Sequence, residues 1–309
     1  MSENSPRVTV VVPIYNVEKW IEGCVQSVLA SPLDLELIVV NDSSTDRSAE
    51  LAKAVISDDP RGRVIDNQRK KGGDGARNTG LLAATAPFII FLDGDDEFAD
   101  GGLEILVTSI ESDHRVSAIC GSFNSRDEDG SPVIGGWETE QQTALVGSPE
   151  LARAPDFARA QLAPPPGAII MQRDIVCDVG GWDEGVELAG LATDYELLAR
   201  MATAAPIALR REVVCHYCIR PTSLSRRQDH PRKYFRARVL AIKRAPHHVR
   251  TALAVATATR SWRLARERVT DWRQPRHIVR GLGNATQAFL FLAACIVGRT
   301  SRVTTLYDE

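Results

Sequence analysis

Residues 88–97, with the sequence FIIFLDGDDE, bring three carboxylates into four positions at Asp93, Asp95 and Asp96. The apolar residues that precede them predict a strand buried on both faces of a sheet. Ligands of α/β proteins bind at the carboxyl ends of parallel strands, and carboxylates this close repel one another unless a cation lies between them. The stretch therefore predicts a site for a hard divalent metal ion or a polyphosphate. The alternative is an acidic turn, in which Asp and Gly are favoured by local hydrogen bonds and tolerance of positive φ.

Strands and helices alternate before this stretch. The β-branched runs at 8–13 and 35–40 predict strands, and apolar residues at intervals of three and four across 17–30 predict an amphipathic helix. The S-x-x-D pattern at 43–46 indicates the start of a second helix. A glycine-rich loop then leads through a small-residue helix into the strand at 88. This order predicts an α/β fold with a mostly parallel sheet flanked by helices.

The pattern is looser in the second half of the chain. Helices are expected at 103–110 and 191–202, and strands at 116–123, 168–171, 207–209 and 213–219. A polar loop is expected at 124–136, after the first of these strands.

The net charge of -3 hides an uneven distribution. Residues 226–309 contain 5 acidic and 18 basic residues, whereas the remainder is acidic. An acidic body argues against nucleic acid as the main ligand. The basic tail, which we expect to be helical, predicts either an element on an anionic membrane surface or a cap that packs on the body or on a second subunit. Its apolar stretch at 285–297 covers 13 residues, short of the roughly 20 that a spanning helix needs.

Six cysteines are scattered through mostly apolar runs, and no secretory signal precedes Val8. We therefore expect reduced thiols and a cytoplasmic protein. It would be peripheral on the inner face of the cell membrane if the tail binds lipid.

Six motifs follow one another in a fixed order: VVPIYN at 11–16, NDSSTD at 41–46, GARNTGL at 75–81, FLDGDD at 91–96, GGWDE at 180–184 and TDYELLAR at 193–200. The series resembles the family 2 glycosyltransferases, over residues 8 to about 225. The resemblance implies a nucleotide-sugar-binding sheet of the glycosyltransferase A type. It divides the chain into a catalytic domain at 1–225, with a donor half of about 1–100 and an acceptor half of about 101–225, and a helical basic tail at 226–309.

Sugar transfer requires that a leaving diphosphate be neutralised, which Mg²⁺ or Mn²⁺ does when held by one or two carboxylates and the phosphate oxygens. The resemblance implies Asp95 as the metal ligand and Asp93 as the partner of the ribose. Gly94 permits the tight chain reversal between them. Asp96 is expected to support the site or to cap the following turn.

The base of the nucleotide needs a flat surface and a hydrogen-bond acceptor. Tyr15 can supply the surface and Asp42 the acceptor for a uracil-like ring N–H. Pro13 and Asn16 belong to the same motif as Tyr15, and Arg77 matches the family's arginine that contacts the base or the phosphates. The alternatives are structural: a tyrosine at the edge of the core, a helix-capping aspartate and a surface arginine.

The acceptor hydroxyl needs a base. In the family this is the aspartate of a Glu-Asp pair that opens a helix, which places Asp194 in that role, with inversion at the anomeric carbon. Thr193 replaces the glutamate. The alternative for Asp194 is a structural carboxylate at the helix start. Trp182, expected to be an exposed aromatic, could stack on an acceptor sugar or belong to the core; Asp183 follows it as a second acceptor-side candidate.

Many relatives carry a histidine where this chain has Arg220, and His216 comes too early to replace it. A fixed guanidinium could bind the diphosphate directly. We therefore expect a UDP-sugar donor and a glycan or lipid-linked acceptor of the cell envelope. Two alternatives stay open: a nucleotide-sugar-binding scaffold without turnover, and, less favoured, a sugar nucleotidyltransferase, which would need a glycine-rich phosphate loop where this chain has PIYNVEKW.

Overall fold

The computed structural model describes residues 5–133, 151–152, 164–185, 192–220, 240 and 244–245. The strands are β1 (Val8–Ile14), β2 (Leu35–Asn41), β3 (Gly62–Asp66), β4 (Phe88–Phe91), β5 (Glu97–Phe98), β6 (Ala118–Asp127), β7 (Leu151–Ala152), β8 (Ile169–Gln172) and β9 (Ile207–Ile219). The helices are α1 (Ile21–Leu29), α2 (Ser48–Ile56), α3 (Gly73–Ala83), α4 (Gly102–Ser112), α5 (Arg173–Asp178) and α6 (Thr193–Ala204), and a 3₁₀ turn spans Pro166–Ala168.

Among the described residues, the strands form one sheet in the order β3-β2-β1-β4-β8-β6-β9-β5, with β7 paired to β9. The first four strands of this order are parallel. Every side chain of β1 and β4 is buried, so both faces of the sheet are covered there, as their mostly apolar sequences predict. The α/β class expected from the sequence is confirmed.

The second half of the sheet is mixed. Strand β8 is antiparallel to both β4 and β6, and β6 is parallel to β9. The two short strands expected at 207–209 and 213–219 form the single strand β9, whose register with β6 shifts near Ser122. The prediction of a polar loop at 124–136 is wrong for residues 124–127, because β6 continues to Asp127 along β9.

Helix α3 lies against the parallel strands at Gly80. A Cβ added to this glycine would lie 2.2 Å from Cγ1 of Val11 on β1, closer than carbon atoms can approach. This close contact brings the first turns of α3 to the carboxyl ends of the strands, where the three acidic residues follow β4.

Most of the predicted tail, including 285–297, lies outside the described residues. Leu240 and Ala245 are buried in the main hydrophobic core, and Arg244 forms ion pairs with Asp183 and Glu196. At these three positions the tail packs on the body, as expected if it is a cap rather than an element on a membrane surface. Within the described ranges, no helix is long and apolar enough to cross a membrane.

Candidate functional site

The turn after β4 is short and packs against the end of β1. The Asp96 N–H donates to the carbonyl of Asp93 over 2.9 Å. A Cβ added to Gly94 would lie 3.0 Å from Cγ2 of Ile14 and 3.3 Å from the carbonyl oxygen of Pro13. Glycine therefore lets the acidic turn lie directly beside the end of the neighbouring strand.

Two arginines neutralise two of the three carboxylates. Nη2 of Arg77 lies 2.5 Å from Oδ1 of Asp93, and Nε of Arg220 lies 2.6 Å from Oδ2 of Asp95. One arginine comes from α3 and the other directly follows β9. The repulsion expected among the carboxylates is thus relieved by cations of the chain itself.

Asp96 has a different environment. Its side chain is fully buried, and Oδ1 accepts a hydrogen bond of 2.8 Å from the N–H of Cys218 on β9. Burial first, and then the charges of Asp95 and Asp93, raise its pKa well above the ordinary value. The hydrogen bond from Cys218 ties the turn to β9, which agrees with a supporting role for Asp96.

The Asp95 carboxyl is largely shielded from solvent and lies beside one cation, Arg220, and one carboxylate, Asp93. Burial raises its pKa to about 6; Arg220 opposes this shift and Asp93 adds to it. In the described part of the chain, no group of three or more His, Cys, Asp or Glu side chains is arranged to hold a metal ion. A single carboxylate such as Asp95 can hold a divalent ion if a diphosphate supplies most of the other oxygen ligands, as is common for Mg²⁺, and such an ion would compete with Arg220 for Asp95.

Arg220 is held on two sides. Its guanidinium carbon lies 5.0 Å from the ring centroid of Trp20, at the start of α1, and its Nε faces Asp95. His216, the histidine nearest in sequence, is placed opposite Glu97 in the β5–β9 pair, and burial lowers its pKa.

Tyr15 follows β1 and is 49% exposed, which leaves part of its ring open to a planar ligand. Nζ of Lys71 lies 4.9 Å from the ring centroid. Asn16 has φ of 53°, and its Oδ1 accepts a hydrogen bond of 2.9 Å from the N–H of Thr45. The turn at Asn16 is therefore anchored to the loop after β2.

Asp42, which follows β2, is buried and binds the glycine-rich loop. Its Oδ1 accepts from Nδ2 of Asn67 over 2.6 Å, and its Oδ2 accepts from the N–H of Gly72 over 2.8 Å. Each carboxylate oxygen has a second lone pair, so Asp42 can still accept a hydrogen bond from a base.

Arg77 is not a surface residue, which corrects the structural alternative considered for it. Its side chain is 12% exposed, and its guanidinium contacts both Asp93 and Asp74. The guanidinium carbon lies 4.5 Å from the ring centroid of Trp182. Arg77 is therefore the cation at the centre of the site.

Trp182 is 3% exposed, so the expectation of an exposed aromatic side chain is wrong. Its ring meets that of Phe91 edge to face at 5.3 Å. The side chain of Asn78 makes two hydrogen bonds to the backbone of Trp182, each of 2.9 Å. Nδ2 donates to the carbonyl oxygen, and Oδ1 accepts from the backbone N–H. The tryptophan belongs to the hydrophobic core, and its ring packs against the guanidinium of Arg77. Any contact with an acceptor stays a prediction.

Asp183, the next residue, already has two partners. Its Oδ1 accepts from the N–H of Gly185 over 3.1 Å and lies 3.3 Å from Nη2 of Arg244. The tail therefore reaches the loop that the sequence assigned to the acceptor side.

Asp194 lies in the first turn of α6 and joins the same charge cluster. Its Oδ1 accepts a hydrogen bond of 2.8 Å from the N–H of Tyr195. Burial raises its pKa to about 6, opposed by that hydrogen bond and by Arg77, and supported by Asp74 and Asp93. Such a carboxylate is ionised at neutral pH and is a stronger base than an ordinary aspartate.

The contacts of Asp74 were not predicted from the sequence. Oδ1 of this buried carboxylate lies 3.2 Å from Nη1 of Arg77 and accepts a hydrogen bond of 2.9 Å from Oγ1 of Thr193. The spacing of three residues between Asp74 and Arg77 on one helix is the only local signal that could have indicated part of it.

A buried ion pair on α6 was missed as well. Arg200 pairs with Glu196, and its Nη1 and Nη2 donate to the carbonyl oxygens of Val179 and Gly181 over 2.5 and 2.7 Å. The i,i+4 spacing of a glutamate and an arginine was its sequence signal. This pair fixes the loop before Trp182 onto α6.

Comparison with known proteins identifies a matching family model and similar chains. The model of Glycosyl transferase family 2 matches residues 9–166. The uncharacterized glycosyltransferase EpsJ of Bacillus subtilis is 40% identical over 124 residues, which cover 40% of this chain and 36% of that protein. The GalNAc(5)-diNAcBac-PP-undecaprenol beta-1,3-glucosyltransferase of Campylobacter jejuni is 36% identical over 104 residues, 33% of this chain and 34% of that protein. These matches span about a third of the length of each relative.

Solved structures share the fold. The crystal structure of S. aureus TarS 1-349 in complex with UDP-GlcNAc superposes with a TM-score of 0.68 at 16% identity, and the match covers 98% of this chain and 90% of that chain. At this level of identity the similarity establishes the architecture alone.

Proposed function

Because the chain belongs to Glycosyl transferase family 2, whose model matches just over half of its 309 residues, we propose that it transfers a sugar from a nucleoside diphosphate sugar to a hydroxyl acceptor. The observation that carries the proposal is the meeting of three features at one edge of the sheet. These are the acidic turn after β4, the buried Arg77 beside it, and Asp194 in the same electrostatic cluster.

The donor base lies at Tyr15 in this proposal. The exposed ring stacks on the base, and Asp42 accepts a hydrogen bond from the ring N–H while it holds the glycine-rich loop. Pro13 and Asn16 shape the end of β1 around it. Uracil is a flat base with a ring N–H, a property that guanine shares, and we assign UDP as the carrier.

The ribose and diphosphate then lie over the acidic turn. Asp93 binds the ribose, Arg77 contacts the phosphates, and Gly94 lets the turn approach them closely. Arg220 exchanges part of its contact with Asp95 for the diphosphate. Mg²⁺ or Mn²⁺ bound at Asp95 and the phosphate oxygens would neutralise the leaving group.

Asp194 takes the proton of the acceptor hydroxyl. The acceptor oxygen forms a bond to the anomeric carbon from the face opposite the diphosphate, the bond from that carbon to the phosphate oxygen breaks, and the diphosphate leaves with the electron pair. The configuration at the anomeric carbon is inverted. On the acceptor side we assign Asp183, with the buried Trp182 as the support for Arg77.

The acceptor class is a glycan or lipid-linked glycan of the cell envelope, made at the cytoplasmic face of the membrane. A similar protein is named for transfer to an undecaprenol-linked glycan, and the basic residues of 226–309 suit an anionic surface. A homodimer contact is the alternative use of the tail, and nucleic acid is not a proposed partner.

A scaffold that binds a nucleotide sugar without turnover is the second candidate. It is favoured by the two arginines, which form ion pairs with Asp93 and Asp95. A sugar nucleotidyltransferase is the third candidate. It would form a nucleotide sugar, whereas a glycosyltransferase would release free UDP.

The test uses thermal unfolding of the full chain with a panel of nucleotide sugars, with and without Mn²⁺, followed by measurement of released UDP. A donor present at about 100 times its Kd should add about 2.7 kcal/mol to the unfolding free energy. Asp95→Asn should lose the Mn²⁺-dependent part, while Asp174→Asn, at a side chain 84% exposed, is the matched control. A flat response to every donor would refute the proposal, and stabilisation without UDP release would favour the scaffold.

A further inference from the structure

A continuous series of contacts links the donor carboxylate to the proposed base. Arg77 contacts Asp93 through Nη2 and Asp74 through Nη1, and Thr193, which immediately precedes Asp194, donates to the same oxygen of Asp74 over 2.9 Å. We infer that Asp74 is a positioning residue that holds Asp194 against the donor site through Thr193. The inference rests on the proposed function, since it assigns Asp194 the role of base.

Asp74 and Thr193 are 119 residues apart in sequence and come from different halves of the chain, on α3 and α6. Both are buried, with 6% and 2% of their surface exposed. A buried carboxylate is costly unless it is paired and hydrogen-bonded, so each partner of Asp74 is needed. The contact therefore sets the position of α6 relative to α3 at the level of the site.

The start of α6 needs such an anchor. Ala192 has φ of 58°, in the left-handed region that a residue other than glycine rarely adopts. The helix then begins at Thr193, whose hydroxyl is bonded to α3 rather than to its own backbone. Loss of the hydroxyl leaves the first turn, which carries Asp194, without its side-chain link to α3.

Asp74 also acts on Asp194 through its charge. Asp74 on α3 and Asp93 after β4 both disfavour ionisation of Asp194, while Arg77 and the N–H of Tyr195 favour it. Asp183 faces Asp74 in turn. Asp74 thus has two separable effects, orientation through Thr193 and electrostatic control of the base, and a different substitution removes each.

Thr193→Val removes the hydroxyl at nearly constant volume. We expect kcat for hydrolysis or transfer, measured with the donor that gives the largest stabilisation in the thermal screen, to fall by about 10- to 100-fold, because a small misplacement of a reacting group costs about this much. The Kd for UDP, measured by calorimetry, should change by less than about 3-fold, because the donor contacts are untouched. Thr193→Ser restores the hydroxyl and should recover most of kcat.

Thr203→Val is the matched control on the same helix. Its hydroxyl donates to the carbonyl oxygen of Arg200 at the far end of α6, over 2.7 Å. It should retain kcat.

Asp74→Asn leaves an oxygen that can accept from Thr193 but removes the negative charge. The acid limb of the kcat–pH profile should move to lower pH, because Asp194 loses a like charge that disfavours its ionised form. A purely structural role of Asp74 would leave this limb in place.

The inference is overturned if Thr193→Val retains kcat, if it loses UDP affinity in proportion to kcat, or if the acid limb of Asp74→Asn does not move. A wild-type chain that binds no nucleotide sugar, or that binds one without releasing UDP, refutes the proposed activity first. Normal wild-type turnover together with an unchanged Thr193→Val refutes the positioning role alone.

Discussion

Replacing the proposed base should stabilise the protein while slowing its reaction. Asp194→Asn keeps an oxygen that accepts the N–H of Tyr195 and removes the charge. Burial raises the pKa of Asp194 from 3.8 to about 6 in the folded chain. Between these pH values the folded state binds a proton that the unfolded state has released, so stability falls as pH rises, and the full cost is present above about pH 6.

The magnitude follows from the size of this shift. The pKa of Asp194 differs by about two between the folded and unfolded states, and at about 1.4 kcal/mol for each pKa unit this corresponds to about 3 kcal/mol. The side chain is partly exposed, and solvent screening reduces the value, so we expect Asp194→Asn to exceed the wild type by about 2 kcal/mol in unfolding free energy at pH 7.5. The gain should shrink towards pH 4, where neither state carries the charge in full.

Urea denaturation of the full chain at several pH values between 4 and 7.5 measures this difference. Asp174→Asn, at an exposed position on α5, is the control and should follow the wild type at every pH. Transfer by Asp194→Asn should be slower by roughly 100- to 10,000-fold, the usual contribution of a general base, with donor affinity kept. An Asp194→Asn variant that is no more stable than wild type at pH 7.5, or a gain that does not depend on pH, would refute the assignment of a charged, desolvated carboxylate at this position.

Three further substitutions test other parts of the site. Asp95→Asn should abolish the effect of Mn²⁺ on UDP affinity in calorimetry, and a retained effect would remove Asp95 as the metal ligand. Arg220→Gln should weaken UDP binding without metal by about 10-fold, the loss of one charge-assisted hydrogen bond to the diphosphate, and unchanged affinity would contradict a phosphate contact. Arg200→Met should lower the unfolding free energy by about 3 kcal/mol in urea, because it leaves Glu196 buried with Arg244 as its remaining ion-pair partner, and a loss below about 1 kcal/mol would show that the buried pair is not needed.

The amino-acid sequence by itself determined the α/β class and the family. The runs in β1, β2 and β4 are mostly apolar, and together with the alternation of strands and helices they indicate a parallel sheet covered on both faces. The motif after β4 is local: its three carboxylates and one glycine are within reach of one another whatever the rest of the chain does. The order of the six motifs added the family, which the family model confirms.

Only the tertiary structure decided how these motifs meet. Trp182 is buried although its neighbours in sequence are glycine and acidic residues, because Phe91 and Arg77 cover its ring from distant segments. The contact of Asp74 with Thr193 spans 119 residues and has no periodic signal, since it depends on how α6 packs beside α3. Local periodicity and spacing report what one segment prefers. Burial and ion pairing depend on which distant segments pack together, and that is why the arginine partners of the acidic turn were not predicted.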